Sequence, residues 1–127
     1  MTTKIQVGII EDDTDLREGL SRFLDMQNDM QCCYAFASVE QFLEKAEREE
    51  MMQADILLLD INLPGLTGTN CLPLIKQRSP DTLVVMLTIN NDPDHIFKAL
   101  SNGAVGYMLK GTTLAKIKEA IIDVKNG

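Results

Sequence analysis

The sequence predicts an α/β fold, a parallel sheet covered by helices on both faces, and two observations carry the prediction. Five short apolar runs alternate with five segments whose apolar residues recur at helical spacing. The runs are largely apolar throughout, not at every second position, which is the pattern of strands buried on both faces. Strands separated by helices return parallel through right-handed crossovers.

Ile5 to Ile10 reads as the first strand, and Leu16, Leu20, Phe23 and Leu24 form the apolar stripe of the helix after it. Gln31 to Phe36 is the second strand. Ser38 with Gln41 three residues on has the form of a capping box, opening a helix with Val39, Phe42, Leu43 and Ala46 on its inner face. Ile56 to Leu59 is the third strand and ends on Asp60; the third helix lies near Asn70 to Arg78 and is stopped by Ser79-Pro80. Leu83 to Leu87 and the helix Asp92 to Leu100 come next, ending at Asn102-Gly103, a glycine stop. Gly106 to Leu109 is the last strand. Leu114, Ile117, Ile121 and Val124 give the final helix a buried stripe, with lysines 116, 118 and 125 on other positions.

A chain of 127 residues without internal linker, repeat or low-complexity tract is expected to be one domain, residues 1–127. Such a domain buries about two thirds of its unfolded surface, enough for one core. Its net charge of −7 and pI near 4.6 argue against a nucleic-acid-binding surface, which needs clustered Lys and Arg. Proteins, cations and small phosphates are the expected partners. Cys32, Cys33 and Cys71 have none of the spacings of zinc or redox sites and read as free thiols in or near a core, as in a reducing cytoplasm. "MTTKIQVGII" is too short and too soon succeeded by acids for a signal peptide, and no apolar run is long enough to span a bilayer; a soluble cytoplasmic protein without membrane contact is expected.

The polar residue at the end of each run carries the chemistry. In an open parallel sheet the carboxyl ends of the strands line the crevice where ligands bind. "VGII" leads into Glu11, Asp12 and Asp13, "ILLL" into Asp60, "LVVML" into Thr88 and "GYML" into Lys110. On one sheet edge these form a group of carboxylates with a hydroxyl and an ammonium. Adjacent carboxylates need a cation to stay ionised together, and oxygen-only donors favour Mg²⁺ over zinc. Asp60 is then the natural nucleophile toward a phosphoryl group, with Lys110 neutralising charge on the transferred oxygens and Thr88 bonding one of them.

Each residue alone has an ordinary structural explanation. Acids after a strand cap the next helix, as Asp13 or Asp15 does here; Asp60 could be a loop residue, Thr88 a β-branched strand end and Tyr107 a strand aromatic. Four such coincidences at the strand ends are what argue for a site. His95 has no second His or Cys at ligand spacing and is assigned no role.

Over essentially its whole length the chain resembles the receiver domain of bacterial two-component response regulators. The resemblance rests on "IIEDD", "LLLDINLPGLTG", "MLT" and "GYMLK". It implies a doubly wound five-stranded sheet of flavodoxin-like order 2-1-3-4-5. It also implies that a sensor histidine kinase donates phosphate to Asp60, with Mg²⁺ held by Asp12, Asp60 and the backbone carbonyl of Asn62, and by Glu11 through water. Thr88 and Tyr107 are the implied switch: the first moves toward the phosphate and the second turns inward, reshaping the surface of the fourth helix, fifth strand and fifth helix. The activity implied is Mg²⁺-dependent self-phosphorylation with slow autodephosphorylation, not enzymatic turnover, and a homodimer on phosphorylation. "GAVGYMLKGTTLAKIKEAIIDVKNG" looks most like receivers of the LuxR/NarL branch of transcription factors, in which a helix-turn-helix domain comes next. DNA contact is therefore expected only through a domain outside this chain.

Three departures from the family pattern bear on rates. Gly111 comes after Lys110 where many members have proline, so a cis peptide is not expected to be shared. Ile89 stands where Ala or Gly is usual and should slow access to Asp60. Asn62 and Asn90, by resemblance beside the path of the hydrolytic water, are poor bases, so the phosphoryl lifetime should be minutes or longer. Two other classes could use similar groups. Haloacid-dehalogenase-type phosphatases combine the same side chains, but carry the nucleophile early, with a second Asp two residues on where Asn62 stands here. A pure interaction module would not need Glu11, Asp12, Asp60, Thr88 and Lys110 all intact. Pro64-Gly65 reads as a turn keeping Asp60 open.

Overall fold

Five parallel strands form one sheet in a computed structural model of the chain: β1 (Ile5–Ile10), β2 (Met30–Phe36), β3 (Ile56–Asp60), β4 (Leu83–Thr88) and β5 (Gly106–Leu109), in the spatial order β2-β1-β3-β4-β5. Five helices alternate with them: α1 (Thr14–Asp25), α2 (Val39–Arg48), α3 (Gly68–Arg78), α4 (Pro93–Ser101) and α5 (Leu114–Asn126). The structure describes residues 3–48, 53–60, 68–89 and 93–127, with main chain alone at 47, 48, 68–70 and 95. The chain winds outward from β1 to β2, then returns to the other side of β1 as β3. That reversal opens a crevice above the carboxyl ends of β1 and β3.

Each face of the sheet carries its own core. Successive strand side chains point to opposite faces, so Leu57 and Leu59 pack with Phe42 of α2, Leu72 and Ile75 of α3 and Ala99 of α4. Ile56 and Leu58 pack with Leu20 and Leu24 of α1 and Ile117 and Ile121 of α5. The central strand β3 is buried along its whole length, whereas the edge strands β2 and β5 are only part-buried. This explains the uninterrupted apolar run before Asp60.

The expected elements are present, with differences at their ends. β3 extends through Asp60, paired with Leu87, and β4 through Thr88, paired with Leu109. Both residues are therefore held by the ladder. α3 starts at Gly68 and tolerates Pro73, which removes a single intrahelical bond. Asp92, the expected start of the fourth helix, lies outside the described residues; α4 begins at Pro93, whose fixed φ suits a first helical position. Its stop is a Schellman arrangement at Gly103, φ 116°, with Ala104 N donating to Ala99 O. Of the two candidate caps on α1, Asp13 accepts from Leu16 N at 3.1 Å and Asp15 sits in the first turn. Ser38 Oγ accepts from Gln41 N, but the Gln41 side chain reaches Ala37 N, one residue earlier than in the usual box. Leu114 is a correction: expected in the buried stripe, it is 42% exposed. It is the first residue of α5, past the end of β5, where no strand lies beneath it.

A bulge between Val7 and Gly8 leaves Cys33 without a partner on β1 and brings Tyr34 over Gly8. A Cβ at residue 8 would stand 2.3 Å from Tyr34 Cζ, so any side chain there forces the ring to shift. Among the described residues no helix is long and apolar enough to cross a membrane.

Candidate functional site

The crevice brings together five of the residues picked from the strand ends. Glu11 directly succeeds β1 and is fully buried; Asp60, at the end of β3, is 1% exposed; Thr88, at the end of β4, is buried; Lys110 comes immediately after β5. Lys110 N donates to Thr88 O at 2.8 Å, extending the pairing of β4 with β5 and tying the two residues together. The Lys110 ammonium then lies 3.0 Å from Glu11 Oε1 and 3.1 Å from Asp60 Oδ2. Asp12 is exposed at the crevice mouth.

Glu11 is held from several sides. Its N–H donates to Phe36 O at 3.0 Å, Oε2 accepts from Asp13 N at 3.0 Å, and its carbonyl accepts from Arg17 Nη1 at 2.8 Å. Arg17 is the residue that the strand-end pattern did not single out. The available signal was a cation in the second turn of a helix that begins just after an acidic loop.

The charges are strongly coupled. Burial pushes the Glu11 carboxyl up to about 7, opposed by the Asp13 amide and Lys110 and reinforced by Asp60. Burial also pushes Asp12 upward, but its contacts with Asp60, Glu11 and Lys110 outweigh this and hold it below the usual carboxylate value. For Lys110, burial favours the neutral amine, yet its ion pairs with Glu11 and Asp60 raise it.

A hard divalent cation fits this arrangement. Carboxylate oxygens of Glu11, Asp12 and Asp60 all lie within 4.8 Å of one another, and the Lys110 ammonium lies against two of these three carboxylates. Glu11 Oε1 is buried and, despite the nearby ammonium, makes no aligned hydrogen bond among the described residues, so it has acceptor capacity to offer. Oxygen donors alone select Mg²⁺ or a similar ion.

The remaining expected residues are distributed differently. Tyr107 is 44% exposed on β5, open to solvent, and Ile89, next to Thr88, is 68% exposed. Asn62, Asn90 and Pro64-Gly65 lie outside the described residues, as does the His95 side chain. The described peptide bonds, including Lys110-Gly111, are trans. Cys71 is buried and Cys32 and Cys33 half-buried, none of them in a disulfide; burial pushes Cys33 and Cys71 up to about 12, so these are inert packing thiols.

Comparison with known proteins agrees with this geometry. The family described as "Response regulator receiver domain" matches residues 7–122. The chain is 34% identical over 124 residues to the transcriptional regulatory protein DegU of Brevibacillus brevis, covering 98% of this chain and 51% of that one. It is 31% identical over 102 residues to the nitrate/nitrite response regulator protein NarL of Escherichia coli K12, covering 80% and 46%. The chain thus spans about half the length of these relatives. Among solved structures, the receiver domain of a response regulator NarL from Mycobacterium tuberculosis superposes with a TM-score of 0.81 at 25% identity, covering 98% of both chains.

Proposed function

The chain belongs to the receiver domains of response regulators, its relatives being of the NarL and DegU type, and on that premise we propose that it takes a phosphoryl group on Asp60 from a sensor histidine kinase. One observation carries the reading. Asp60, nearly buried at the end of the central strand, faces Lys110 and shares its crevice with Glu11 and Asp12.

Each side chain has a part in the transfer. A carboxylate oxygen of Asp60 attacks phosphorus; the new O–P bond forms as the N–P bond of the donor phosphohistidine breaks, and the imidazole leaves with its electron pair. Lys110 stays against the acceptor and neutralises charge on the transferred oxygens, and the Thr88 hydroxyl donates to one of them. Asp12 and Asp60, with Glu11 through water and the carbonyl of Asn62, would hold Mg²⁺, which supplies Lewis-acid charge neutralisation. The phosphoryl group adds roughly two negative charges. Thr88 drawn toward it leaves room for Tyr107 to turn in, altering the surface of α4, β5 and α5, to which a second copy of the chain or an output region responds. By likeness to the relatives, the output is transcription, exerted through a DNA-binding region outside these residues. The acidic surface of this chain does not suit DNA.

The test is incubation with acetyl phosphate and Mg²⁺ and then measurement of intact mass. Wild type should gain one phosphate and Asp60→Asn none. Release of free phosphate over many turnovers would instead favour a phosphatase.

A further inference from the structure

Arg17 has no part in the phosphoryl transfer, yet it makes one of the shortest polar contacts at the crevice. From α1 it reaches back to the end of β1, and its Nη1 donates to the Glu11 carbonyl at 2.8 Å in a part-buried setting. That carbonyl belongs to the peptide plane joining residues 11 and 12. Because the plane is rigid, fixing its oxygen fixes the direction in which Asp12 leaves it. Both neighbours of Asp12 are otherwise anchored: Glu11 through its N–H to Phe36 O, and Asp13 by capping Leu16 N and by accepting from Arg17 N at 2.9 Å. The backbone of Arg17 thus holds the residue after Asp12 while its guanidinium holds the residue before it.

We propose that Arg17 is a positioning residue for the cation site: by clamping the 11–12 peptide it aims the exposed Asp12 carboxylate at the position shared with Glu11 and Asp60. The inference rests on the receiver reading. Its sign separates it from simple electrostatics. A guanidinium beside acids that bind a divalent cation repels that cation, so removing it for charge alone should tighten binding. Removing a clamp should loosen it, as happens when groups that orient metal ligands are lost.

The experiment is a Mg²⁺ titration read by amide NMR shifts of residues 11–13, on wild type, Arg17→Met and Arg17→Lys, with thermal unfolding of each in EDTA. Arg17→Met keeps an apolar stem but no donor and should weaken Mg²⁺ roughly tenfold. Its melting temperature in EDTA should stay close to wild type, since Arg17 is only part-buried. Arg17→Lys, which keeps a donor, should recover part of the affinity. Unchanged or tighter binding in Arg17→Met would overturn the proposal, as would weakening no greater than its loss of stability explains. Wild type failing to bind Mg²⁺ at all would overturn the proposed Mg²⁺-dependent phosphoacceptor role itself.

Discussion

Lys110 Nζ lies 3.1 Å from Asp60 Oδ2, joining the last strand of the sheet to its central one through a single ammonium. The same ammonium is 3.0 Å from Glu11 Oε1, so one cation serves two buried carboxylates. Without it, both would have to be neutralised by protons or by another ion.

Lys110→Met should therefore lose stability in EDTA by about 2 kcal/mol, less than the roughly 3–5 kcal/mol of breaking a fully buried pair, because Lys110 keeps some solvent contact. Saturating Mg²⁺ should restore most of it. Labelling of Asp60 by acetyl phosphate should slow roughly a hundredfold, as for loss of one charge-stabilising group. Urea unfolding with and without Mg²⁺ and a mass time course provide the measurements; equal stability of the two proteins in EDTA would contradict the argument.

Stability in the absence of metal should fall as pH rises. Glu11 has an ordinary value of 4.5 and is pushed up to about 7 in the fold, so between these values the folded state binds more protons than the unfolded one. The contribution is fully present below about 4.5 and is lost as pH climbs through 7. It amounts to on the order of 3 kcal/mol. Asp12, displaced downward, acts only in more acidic solution. Thermal unfolding in EDTA should give a higher midpoint at pH 6 than at pH 8, and Glu11→Gln should flatten that slope.

Gly8→Ala should destabilise the fold by about 2 kcal/mol, the usual cost of overpacking. The new methyl would meet a Tyr34 ring held by Phe36 and Phe42, with centroids 5.4 and 5.6 Å away. Tyr34→Phe should cost almost nothing, since the hydroxyl is buried and has no hydrogen-bond partner among the described residues. Shrinking the ring in a Gly8→Ala/Tyr34→Leu double variant should recover part of the loss, which a double-mutant cycle by denaturant unfolding measures.

Ile89→Ala should raise both the phosphorylation and dephosphorylation rates by roughly threefold, under 1 kcal/mol in each barrier. The effect is small because a side chain 68% exposed is a loose cover for the crevice. In wild type with Mg²⁺ the phosphoryl group should persist for minutes or longer, Asn62 and Asn90 being poor bases; decay within seconds, read by intact mass after donor removal, would refute this.

The five strands, five helices and the set Glu11, Asp12, Asp60, Thr88 and Lys110 were legible in the amino-acid order. Their signals are local: apolar runs, helical spacing, and a polar residue at the end of each run. Ladder pairing was less legible, which is why β3 and β4 each run one residue further, through Asp60 and Thr88. Leu114 was misplaced because periodicity assigns a helix face without saying where the sheet beneath it stops.

Sequence alone determined which groups this protein gathers at the carboxyl ends of its strands, because chemistry resides in residue type and strand-end position. Only the tertiary structure decided how they are tuned. That one ammonium serves both Glu11 and Asp60, that burial lifts Glu11 to about 7, and that Arg17 grips the Glu11 carbonyl all depend on distances between segments far apart or turned back on themselves. Such distances are set by crossover packing and strand register, which no local pattern encodes.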